Sequence, residues 1–305
     1  MVNAKKILIT GKNSYIGAST REWLISSRQH YVVDEISVKG DDWRTRDFSS
    51  YDVVFHVAGI AHSDTKVATE DIKALYYRVN TDLAIEVAKK AKLDGVCQFI
   101  FMSSMIVYGN SVPFGMMKRI TKDTLPSPDN FYGDSKWKAE IGLVALRSDN
   151  FQIAIIRPPM VYGKGSKGNY PRLARLAKKL PLFPDVENER SIIYIDNLCE
   201  FIRLVIENGD DGVFFPQNDE YVKTSELVME IAAVHGRKVH LTGAFNPFLN
   251  ILTRRGGLVR KVFGSLSYDM ALSEYQVDYR VRSFKESIEL AEGVVLDQNK
   301  KSFAT

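Results

Sequence analysis

The stretch that decides the fold is KILITGKNSYIG, residues 6–17. Its apolar residues 7–9 run into Gly11, as in a buried strand that ends in a tight turn. Gly17 follows six residues after Gly11 and opens a stretch with helical periodicity. A strand, a glycine turn and a helix in this order are typical of a dinucleotide-binding loop. Ser14 stands where the middle glycine of such a loop usually falls, so the motif alone leaves dinucleotide binding open.

The first half of the chain alternates short apolar runs with helical patterns. Runs rich in Val, Ile and Phe, separated by helices, predict a parallel sheet that is covered on both faces. The predicted fold class is therefore α/β, a Rossmann-type doubly wound sheet that binds ligands at the carboxyl ends of its strands. We predict strands at residues 7–10, 31–37, 53–58, 99–103 and 152–157, and helices at residues 16–26, 70–91 and 132–147.

The character of the sequence changes after Arg157. The stretch RPPMVYGKGSKGNYP, residues 157–171, is rich in Gly and Pro and predicts a long loop, and long ordered loops are often functional. We expect residues 1–160 to form a Rossmann domain of the kind that binds NAD(P). We expect a smaller substrate lobe at residues 161–305, with segments that return to the main sheet.

The composition limits the classes of function. The 305 residues carry a formal net charge of +4, a small excess that does not indicate a nucleic-acid partner and fits an anionic small substrate. No apolar run is long enough to cross a bilayer and no signal peptide is visible, so we expect a cytoplasmic protein without stable membrane insertion. Residues 244–264 mix apolar and basic side chains. This fits contact with a membrane surface, but we favour a helical hairpin that turns at Gly256-Gly257.

Residues that form disulfides or bind metals are few. Cys97 and Cys199 stand among apolar residues and are predicted to be buried thiols in a reducing compartment. The histidines show no zinc-site spacing with a Cys, Asp or Glu partner, so we expect no metal site. They are His30, His56, His62, His235 and His240.

The stretch FYGDSKWKAE carries the first candidates for chemistry. Tyr132 and Lys136 are four residues apart in a helical pattern, so both project from one face. An ammonium beside a phenol lowers the phenol pKa, and such a tyrosine can exchange a proton with a substrate hydroxyl or carbonyl. Upstream, FIFMSSMIVYG places Ser103 and Ser104 at the carboxyl end of a predicted strand. A serine there can hydrogen-bond the same substrate oxygen.

With these motifs in this order, the chain resembles the extended short-chain dehydrogenase/reductase family. Within that family it is similar to the NAD-dependent epimerases and dehydratases of nucleotide sugars, and the resemblance runs from Lys5 to about Glu289. Each matching stretch is modest alone, and together they are specific. The stretches are ITGKNSYIG, YDVVFHVAG, VNTDLAIEVA, FMSSMIVYG, YGDSK, RPPMVYG and RSIIYIDNL.

The resemblance implies catalytic roles for three residues. Tyr132 would be the acid/base, Lys136 would bind the nicotinamide ribose and tune that tyrosine, and Ser104 would align the reacting oxygen. The implied cofactor is NAD or NADP, with its pyrophosphate at the start of the first helix. Its contacts would be Gly11, Ser14, Tyr15, Ile16, Gly17, Ser37, Asp47, Phe48, Val57, Ala58, Gly59, Asn80, Ser103, Tyr132, Lys136 and Pro158.

The resemblance also implies contacts with a nucleotide-sugar substrate. Besides Ser104, Arg190 would bind the diphosphate, because a guanidinium fork suits phosphate oxygens. Lys167 and Asn169, in the Gly-rich loop, would be further contacts. Arg260 or its neighbour Lys261 would supply a second basic group. For Lys167, Arg260 and Lys261 a plain surface role is the favoured interpretation.

The sequence departs from the family's dehydratases directly after Ser104. Those enzymes place an Asp-Glu pair there, whereas this chain has Met105 and Ile106, which cannot move a proton. Dehydration across C5 and C6 is therefore not expected, and chemistry at C4 remains. A UDP-sugar 4-epimerase is the first prediction, and an NAD(P)H-dependent nucleotide 4-keto-sugar reductase is the alternative. A non-catalytic NAD(P)-binding sensor or scaffold is the third.

The choice between NAD and NADP depends on where the second strand ends. An end near Asp34-Glu35 would offer a carboxylate to the ribose 2′-hydroxyl and favour NAD. An end at Ser37, with Lys39 nearby, would accept a 2′-phosphate and favour NADP. We favour the longer strand. The resemblance further implies a homodimer packed through the helices that carry Asn80 and Tyr132.

Overall fold

The computed structural model describes residues 4–61 and 69–294, and His62 lies outside these residues. Within them the strands are β1 (Lys5–Thr10), β2 (Tyr31–Ile36), β3 (Val53–His56), β4 (Gln98–Met102), β5 (Arg119–Ile120), β6 (Gln152–Ile156), β7 (Met160–Tyr162), β8 (Leu182–Pro184), β9 (Ile192–Tyr194), β10 (Gly212–Phe214), β11 (His240–Thr242) and β12 (Ser267–Tyr268). The α-helices are α1 (Tyr15–Ser26), α2 (Glu70–Tyr77), α3 (Leu83–Leu93), α4 (Phe131–Val144), α5 (Asn169–Ala177), α6 (Ile195–Asn208), α7 (Thr224–Val234), α8 (Asn246–Arg254), α9 (Gly257–Phe263) and α10 (Phe284–Glu292).

The central sheet has six parallel strands in the order β2-β1-β3-β4-β6-β10. The chain runs outward from β1 to β2 and then crosses back to β3, on the other side of β1. The strand order therefore reverses between β1 and β3. In an open α/β sheet a crevice forms at this point, outside the carboxyl ends of the strands.

Successive residues of the central strands pack against helices on opposite faces. Leu8 and Phe99 belong to a core that includes side chains of α3 and α4. Ile7 and Ile100 belong to a second core that includes side chains of α1 and α6. Because both faces are covered, the strands are apolar almost throughout.

A separate core fills the lobe that follows β6. It joins buried side chains of β7, α5, β8, α7 and α10, and Tyr15 and Ile16 at the start of α1 pack against it. This contact places the lobe beside the turn that follows β1.

The structure confirms the α/β fold class and all five predicted strands. β2, β3, β4 and β6 each end one or two residues before the predicted limit. The helix predicted at residues 70–91 is interrupted by a π-helical turn at Arg78–Asp82 and continues to Leu93. The hairpin predicted at residues 244–264 is also confirmed, because α8 and α9 are joined at Gly256-Gly257, where φ is +81° and +71°.

One cysteine prediction is wrong. Cys199 is buried, as expected, but Cys97 is exposed. Cys97 directly precedes β4, whose first residue Gln98 is buried, so its side chain points away from the core although its neighbours in the sequence are apolar. No described helix is long and apolar enough to span a membrane.

Backbone atoms join the turn after β1 to the loop after β3. The N–H groups of Val57 and Ala58 donate to the Thr10 carbonyl at 3.0 and 2.9 Å. Gly11 has a φ of +121°, and a Cβ at this position would lie 2.7 Å from the Ala58 nitrogen. Only glycine permits both this conformation and this approach.

We predict that Gly11→Ala destabilises the fold more than Gly40→Ala. Gly40 also has a positive φ, +74°, but a Cβ at this position would have no atom within 4 Å. Both variants carry the conformational cost of about 1 kcal/mol, and Gly11→Ala adds an overlap that costs about 1–3 kcal/mol. Urea unfolding measures the difference, and equal losses for the two variants would show that the two backbones are not in close contact.

Candidate active site

Ser14 caps α1 and does not need a glycine-like conformation. Its φ and ψ are −73° and 145°, and its hydroxyl accepts from the Gly17 N–H at 3.2 Å. Besides Gly11, Asn13 has a positive φ in this loop, +64°, and asparagine tolerates this conformation. The N–H groups of Tyr15 and Ile16 have no carbonyl partner within the helix. They form the kind of helix start that binds phosphate.

Gly17 lets α1 approach the sheet closely. A Cβ at Gly17 would lie 2.5 Å from the Ser14 Oγ and 3.0 Å from the Val57 Cγ1. The neighbouring Tyr15 side chain is turned toward the second lobe, where a Cβ at Gly163 would lie 2.6 Å from the Tyr15 hydroxyl. Of the predicted contacts in this loop, only backbone groups of Tyr15 and Ile16 are therefore placed at the crevice.

Asn80 holds the loop after β3 against α4. Its side-chain amide accepts from the Ile60 N–H at 2.8 Å and donates to the Ile60 carbonyl and the Ser135 hydroxyl at 3.1 and 3.0 Å. It lies in the π-helical turn, a feature that is frequent at functional sites. A Cβ at Gly59 would lie 3.2 Å from the Lys136 Nζ, so this loop passes directly over the lysine.

Asp47 and Phe48, two further residues that the resemblance implies as cofactor contacts, are placed away from the crevice. Asp47 is exposed, and its carboxylate accepts from the Ser49 N–H and hydroxyl at 2.8 Å each, which holds the pKa of Asp47 below its usual range. Phe48 has its ring in the core and donates its N–H to Asp94 at 2.9 Å. Neither group of Phe48 is therefore free for a ligand.

The end of β2 lies between the two alternatives, one residue after Glu35 and one residue before Ser37. The strand ends at Ile36, and the exposed Ser37 comes next. Asp34 accepts from the Tyr51 hydroxyl at 2.7 Å, and Glu35 lies 3.9 Å from the Arg21 guanidinium of α1. Both carboxylates are thus inside the strand, one or two positions before its carboxyl end.

Tyr132 and Ser104 meet at the carboxyl end of β4. Ser104 caps a 3₁₀ turn at Met105–Tyr108 by accepting from the Ile106 N–H at 3.3 Å, and its side chain lies near the Tyr132 phenol. Burial and the neighbouring Tyr76 raise the pKa of Tyr132 to about 12, although the Ser104 side chain opposes them. The expectation that the tyrosine pKa is lowered is wrong for this arrangement, because burial dominates.

Lys136 lies behind Tyr132, one turn further along α4. Its ammonium donates to the Met102 carbonyl at 2.8 Å and lies 4.5 Å from the centre of the Phe101 ring. The side chain is buried, which lowers the pKa of Lys136 to about 8, while the negative charge of Glu140 acts in the opposite direction. The lysine is thus held at the crevice with a readily changed protonation state.

A buried ion pair lies one further turn along α4. Glu140 accepts from the Arg157 guanidinium, with its shortest contact at 2.5 Å, and from the Ser103 hydroxyl. Arg157 also donates to the Tyr108 hydroxyl at 2.6 Å. Ser103 therefore points behind the site and not toward the crevice. The buried Pro158 accepts from the Met105 N–H at 3.0 Å and fixes the loop after β6 to the same turn.

The second lobe contributes a small cleft that is partly open to solvent. It brings together the predicted residues Asn169 and Arg190 with Lys223 and Lys261. Arg190 donates to the Gly264 carbonyl at 2.9 Å and has no carboxylate partner among the described residues. Burial lowers the pKa of Arg190 to about 10. Lys223 is ion-paired with Glu187 at 2.9 Å, so the desolvated Arg190 guanidinium and the Lys261 ammonium are the groups of this cleft that are suited to an anion.

Two predicted substrate residues are not in this cleft. Lys167 is exposed. Arg260 donates to the carbonyls of Thr253 and Arg254 at 3.0 and 3.1 Å and closes the α8–α9 hairpin. Lys261, its neighbour, is the basic residue that reaches the cleft. Lys223, which sequence reasoning missed, carried no motif signal that distinguishes it from other surface lysines.

The crevice fits the cofactor that the sequence implies. The turn at Gly11 packs directly on the loop after β3, where a Cβ would lie 2.7 Å from the Ala58 nitrogen, and a capped helix start faces the crevice. Tyr132, Lys136 and Ser104 stand at the next strand end. Among the described residues no group of three or more His, Cys, Asp or Glu side chains is placed to hold a metal ion.

Comparison with known proteins places the chain in a family. The NAD dependent epimerase/dehydratase family matches residues 7–215. A UDP-glucose 4-epimerase of Vibrio cholerae is 33% identical over 249 residues, which cover 75% of this chain and 75% of that protein.

Two solved structures have the same fold. A dTDP-4-dehydrorhamnose reductase of Clostridium acetobutylicum superposes with a TM-score of 0.72 at 20% identity, covering 95% of this chain and 99% of that one. A UDP-glucuronic acid 4-epimerase of Bacillus cereus in complex with NAD gives a TM-score of 0.71 at 18% identity, covering 95% and 98%. The chain belongs to the NAD dependent epimerase/dehydratase family and is an NAD(P)-dependent enzyme of the extended short-chain dehydrogenase/reductase type.

Proposed function

We propose that this enzyme carries out oxidation and reduction at C4 of a nucleotide-linked hexose, with 4-epimerisation of a UDP-sugar as the first candidate. The observation that carries the proposal is the approach of the Ser104 side chain to the Tyr132 phenol at the carboxyl end of β4. In this proposal the pair acts between the dinucleotide crevice and the anion-binding cleft. The Vibrio cholerae relative, which is a UDP-glucose 4-epimerase, supports the first candidate.

In this proposal Tyr132 exchanges a proton with the sugar hydroxyl, and Ser104 aligns the same oxygen. A buried phenol with a pKa near 12 is a poor base. The phenolate therefore needs a nearby cation. Lys136 is the cation on the same helix face, and its reorientation from the Met102 carbonyl toward the phenol would lower the pKa of Tyr132. A bound nicotinamide supplies the hydride exchange.

The side chains after Ser104 argue against elimination of water. Met105 is buried and Ile106 is apolar, so neither position holds an acid or base. In this proposal Tyr132 is the group at the strand end that transfers a proton to the substrate, and Lys136 acts on Tyr132. One proton-transferring group suffices for oxidation or reduction of a single carbinol.

The cleft of the second lobe is the proposed site of the nucleotide diphosphate. Arg190 and Lys261 would bind the phosphate oxygens, and Asn169 would contact the substrate from the start of α5. We propose a domain boundary near residue 160. The domain before it, with the central sheet, would bind the dinucleotide, and the lobe after it would bind the nucleotide sugar.

We also propose a homodimer through α2–α3 and α4. On α4 the side chains of Ile141 and Val144 are exposed. The cytoplasmic location stays a prediction.

A 4-keto-sugar reductase is the second candidate, because the end of β2 fits NADP. Ser37 is the first residue after the strand, its hydroxyl accepts from the Lys39 N–H at 3.2 Å, and both side chains are exposed. A serine and a lysine suit a 2′-phosphate, and of the two carboxylates of β2 Asp34 is engaged by the Tyr51 hydroxyl. A soluble NADPH pool would then supply the hydride, and a tightly held NAD would not be needed.

The two candidates make different predictions for the purified protein. An epimerase interconverts UDP-glucose and UDP-galactose, or their N-acetylated forms, with no added cofactor, whereas a reductase oxidises NADPH only when given a nucleotide 4-keto-sugar. In either assay Tyr132→Phe lowers turnover by roughly 10²–10⁴-fold and leaves dinucleotide binding intact. Tyr77→Phe is the matched control, because the Tyr77 hydroxyl donates to Asp134. Undiminished turnover of Tyr132→Phe would overturn the catalytic assignment.

We predict that Glu140→Gln shifts the alkaline limb of the kcat/KM profile to lower pH. The charge of Glu140 opposes the effect of burial on Lys136. Without the charge of Glu140 the pKa of Lys136 falls below its value of about 8, so the lysine loses its proton at a lower pH. Glu86→Gln, an exposed carboxylate on α3, is the control. If Glu140→Gln lowers only the stability and leaves the pH profile of kcat/KM unchanged, Glu140 does not act on Lys136 and serves only to pair with Arg157.

Under the second candidate, Ser37→Asp weakens NADP binding by about tenfold or more, because a carboxylate repels the 2′-phosphate. NAD binding is unchanged or stronger, because a carboxylate accepts from the 2′-hydroxyl. Titration of protein fluorescence measures both affinities, and Ser26→Asp on α1 controls for the added charge. Equal NADP affinity of Ser37→Asp and the native protein would remove Ser37 from the ribose site.

A further inference from the structure

The α8–α9 hairpin lies in a stretch of the chain that contains basic residues and no acidic ones. From Ile231 to Tyr268 the sequence holds no Asp or Glu, although the chain has 37 acidic residues in all. The same stretch carries six basic residues, which are Arg237, Lys238, Arg254, Arg255, Arg260 and Lys261. This positive charge has no role in the proposed chemistry apart from Lys261.

The exposed face of α8 is apolar, the reverse of an ordinary surface helix. Phe248 and Ile251 are 63% and 58% exposed, and Phe245, just before the helix, is exposed as well. The inward positions are occupied by Leu249 and by Thr253, a polar residue that is fully buried. Large apolar side chains therefore point outward from a helix whose inner face is only partly apolar.

Basic and further apolar groups adjoin this face. Arg254 and Arg255 are exposed at the end of α8, and neither forms an ion pair with a carboxylate in the described part of the chain. A neighbouring loop is tied to α8 by a hydrogen bond from the Phe114 N–H to the Thr253 hydroxyl at 3.1 Å, and it exposes Met116 and Met117. The docking face is defined here as Met116, Met117, Phe245, Phe248, Ile251, Arg254 and Arg255.

From this combination we infer that the docking face binds the surface of an anionic phospholipid bilayer. Phenylalanine and isoleucine partition into the boundary between headgroups and acyl chains. Guanidinium groups on the same face bind the lipid phosphates, and each basic residue near an anionic surface strengthens binding. No described helix spans a membrane, so the contact is peripheral and reversible.

Charge argues against a second copy of this chain as the occupant. In a two-fold dimer the same patch faces itself. Arg254 and Arg255 of each copy would then approach each other across a surface without acidic residues. An anionic bilayer supplies negative charge for the two arginines and an apolar layer for the apolar side chains of the docking face.

The inference goes beyond the proposed function and does not depend on it. Because Lys261 belongs both to the hairpin and to the cleft of the second lobe, docking would place the mouth of that cleft beside the lipid headgroups. Catalysis with nucleotide sugars in solution would not require it.

Co-sedimentation of the full-length protein with vesicles tests the inference. The vesicles are phosphatidylcholine alone or phosphatidylcholine with about 30% phosphatidylglycerol, at low and high salt. We expect binding to the anionic vesicles only, weakened by salt. The variants Phe248→Ser/Ile251→Ser and Arg254→Gln/Arg255→Gln should each reduce binding by roughly tenfold or more.

Matched controls separate the docking face from general hydrophobicity and charge. Leu93→Ser/Leu125→Ser removes two leucines that are 86% and 81% exposed elsewhere, and Arg28→Gln/Lys89→Gln removes the same charge. Both controls should bind vesicles like the native protein. Absence of binding to anionic vesicles, or equal loss in variants and controls, would overturn the inference. So would sedimentation velocity showing that the Phe248/Ile251 variant dissociates a dimer.

Discussion

The contact between the turn after β1 and the loop after β3 is the constraint on which the site depends. The Thr10 carbonyl accepts two N–H groups from the second loop, and Gly11 lies against the Ala58 backbone. A side chain at Gly11 would separate the two strand ends at the point where the strand order reverses. With the loops in contact, the start of α1 faces the crevice from one side. The loop over Lys136 bounds it from the other side, so one backbone contact aligns the dinucleotide site with the catalytic helix.

Burial then determines the chemistry of the residues at the strand ends. It raises the pKa of Tyr132 to about 12 and lowers the pKa of Lys136 to about 8, so near neutral pH the phenol is neutral and the lysine still carries its charge. Glu140 is the opposing charge, and it is itself held by Arg157 and Ser103 behind the crevice. In the proposed mechanism the site becomes reactive when Lys136 turns from the Met102 carbonyl toward the phenol. In that mechanism the helix α4 carries the acid/base, its cation and the counter-charge on successive turns.

Much of the fold followed from the sequence because buried parallel strands leave a strong local signal. The apolar runs at β1, β3, β4 and β6 marked the sheet, and Gly11 marked its turn. The finer errors come from side-chain direction, which local sequence does not encode. Phe48 lies in the core, although the resemblance implied a cofactor contact there. Cys97 faces solvent, although a buried thiol was predicted. Arg260 and Lys261 are adjacent, and only the packing of α9 decides that Lys261 reaches the cleft. Lys223 and the apolar outer face of α8 required the tertiary structure.

The central claim is that the reacting carbon of the sugar is C4, and an isotope substitution tests it most directly. Turnover of a UDP-hexose with deuterium at C4 is compared with turnover of the same sugar labelled at C3 or at C5. If Tyr132 and Ser104 act on the C4 hydroxyl, only the C4 label slows the reaction in single-turnover measurements, because only that carbon–hydrogen bond is broken. A rate that responds to the C3 or C5 label and not to the C4 label would contradict the proposed chemistry.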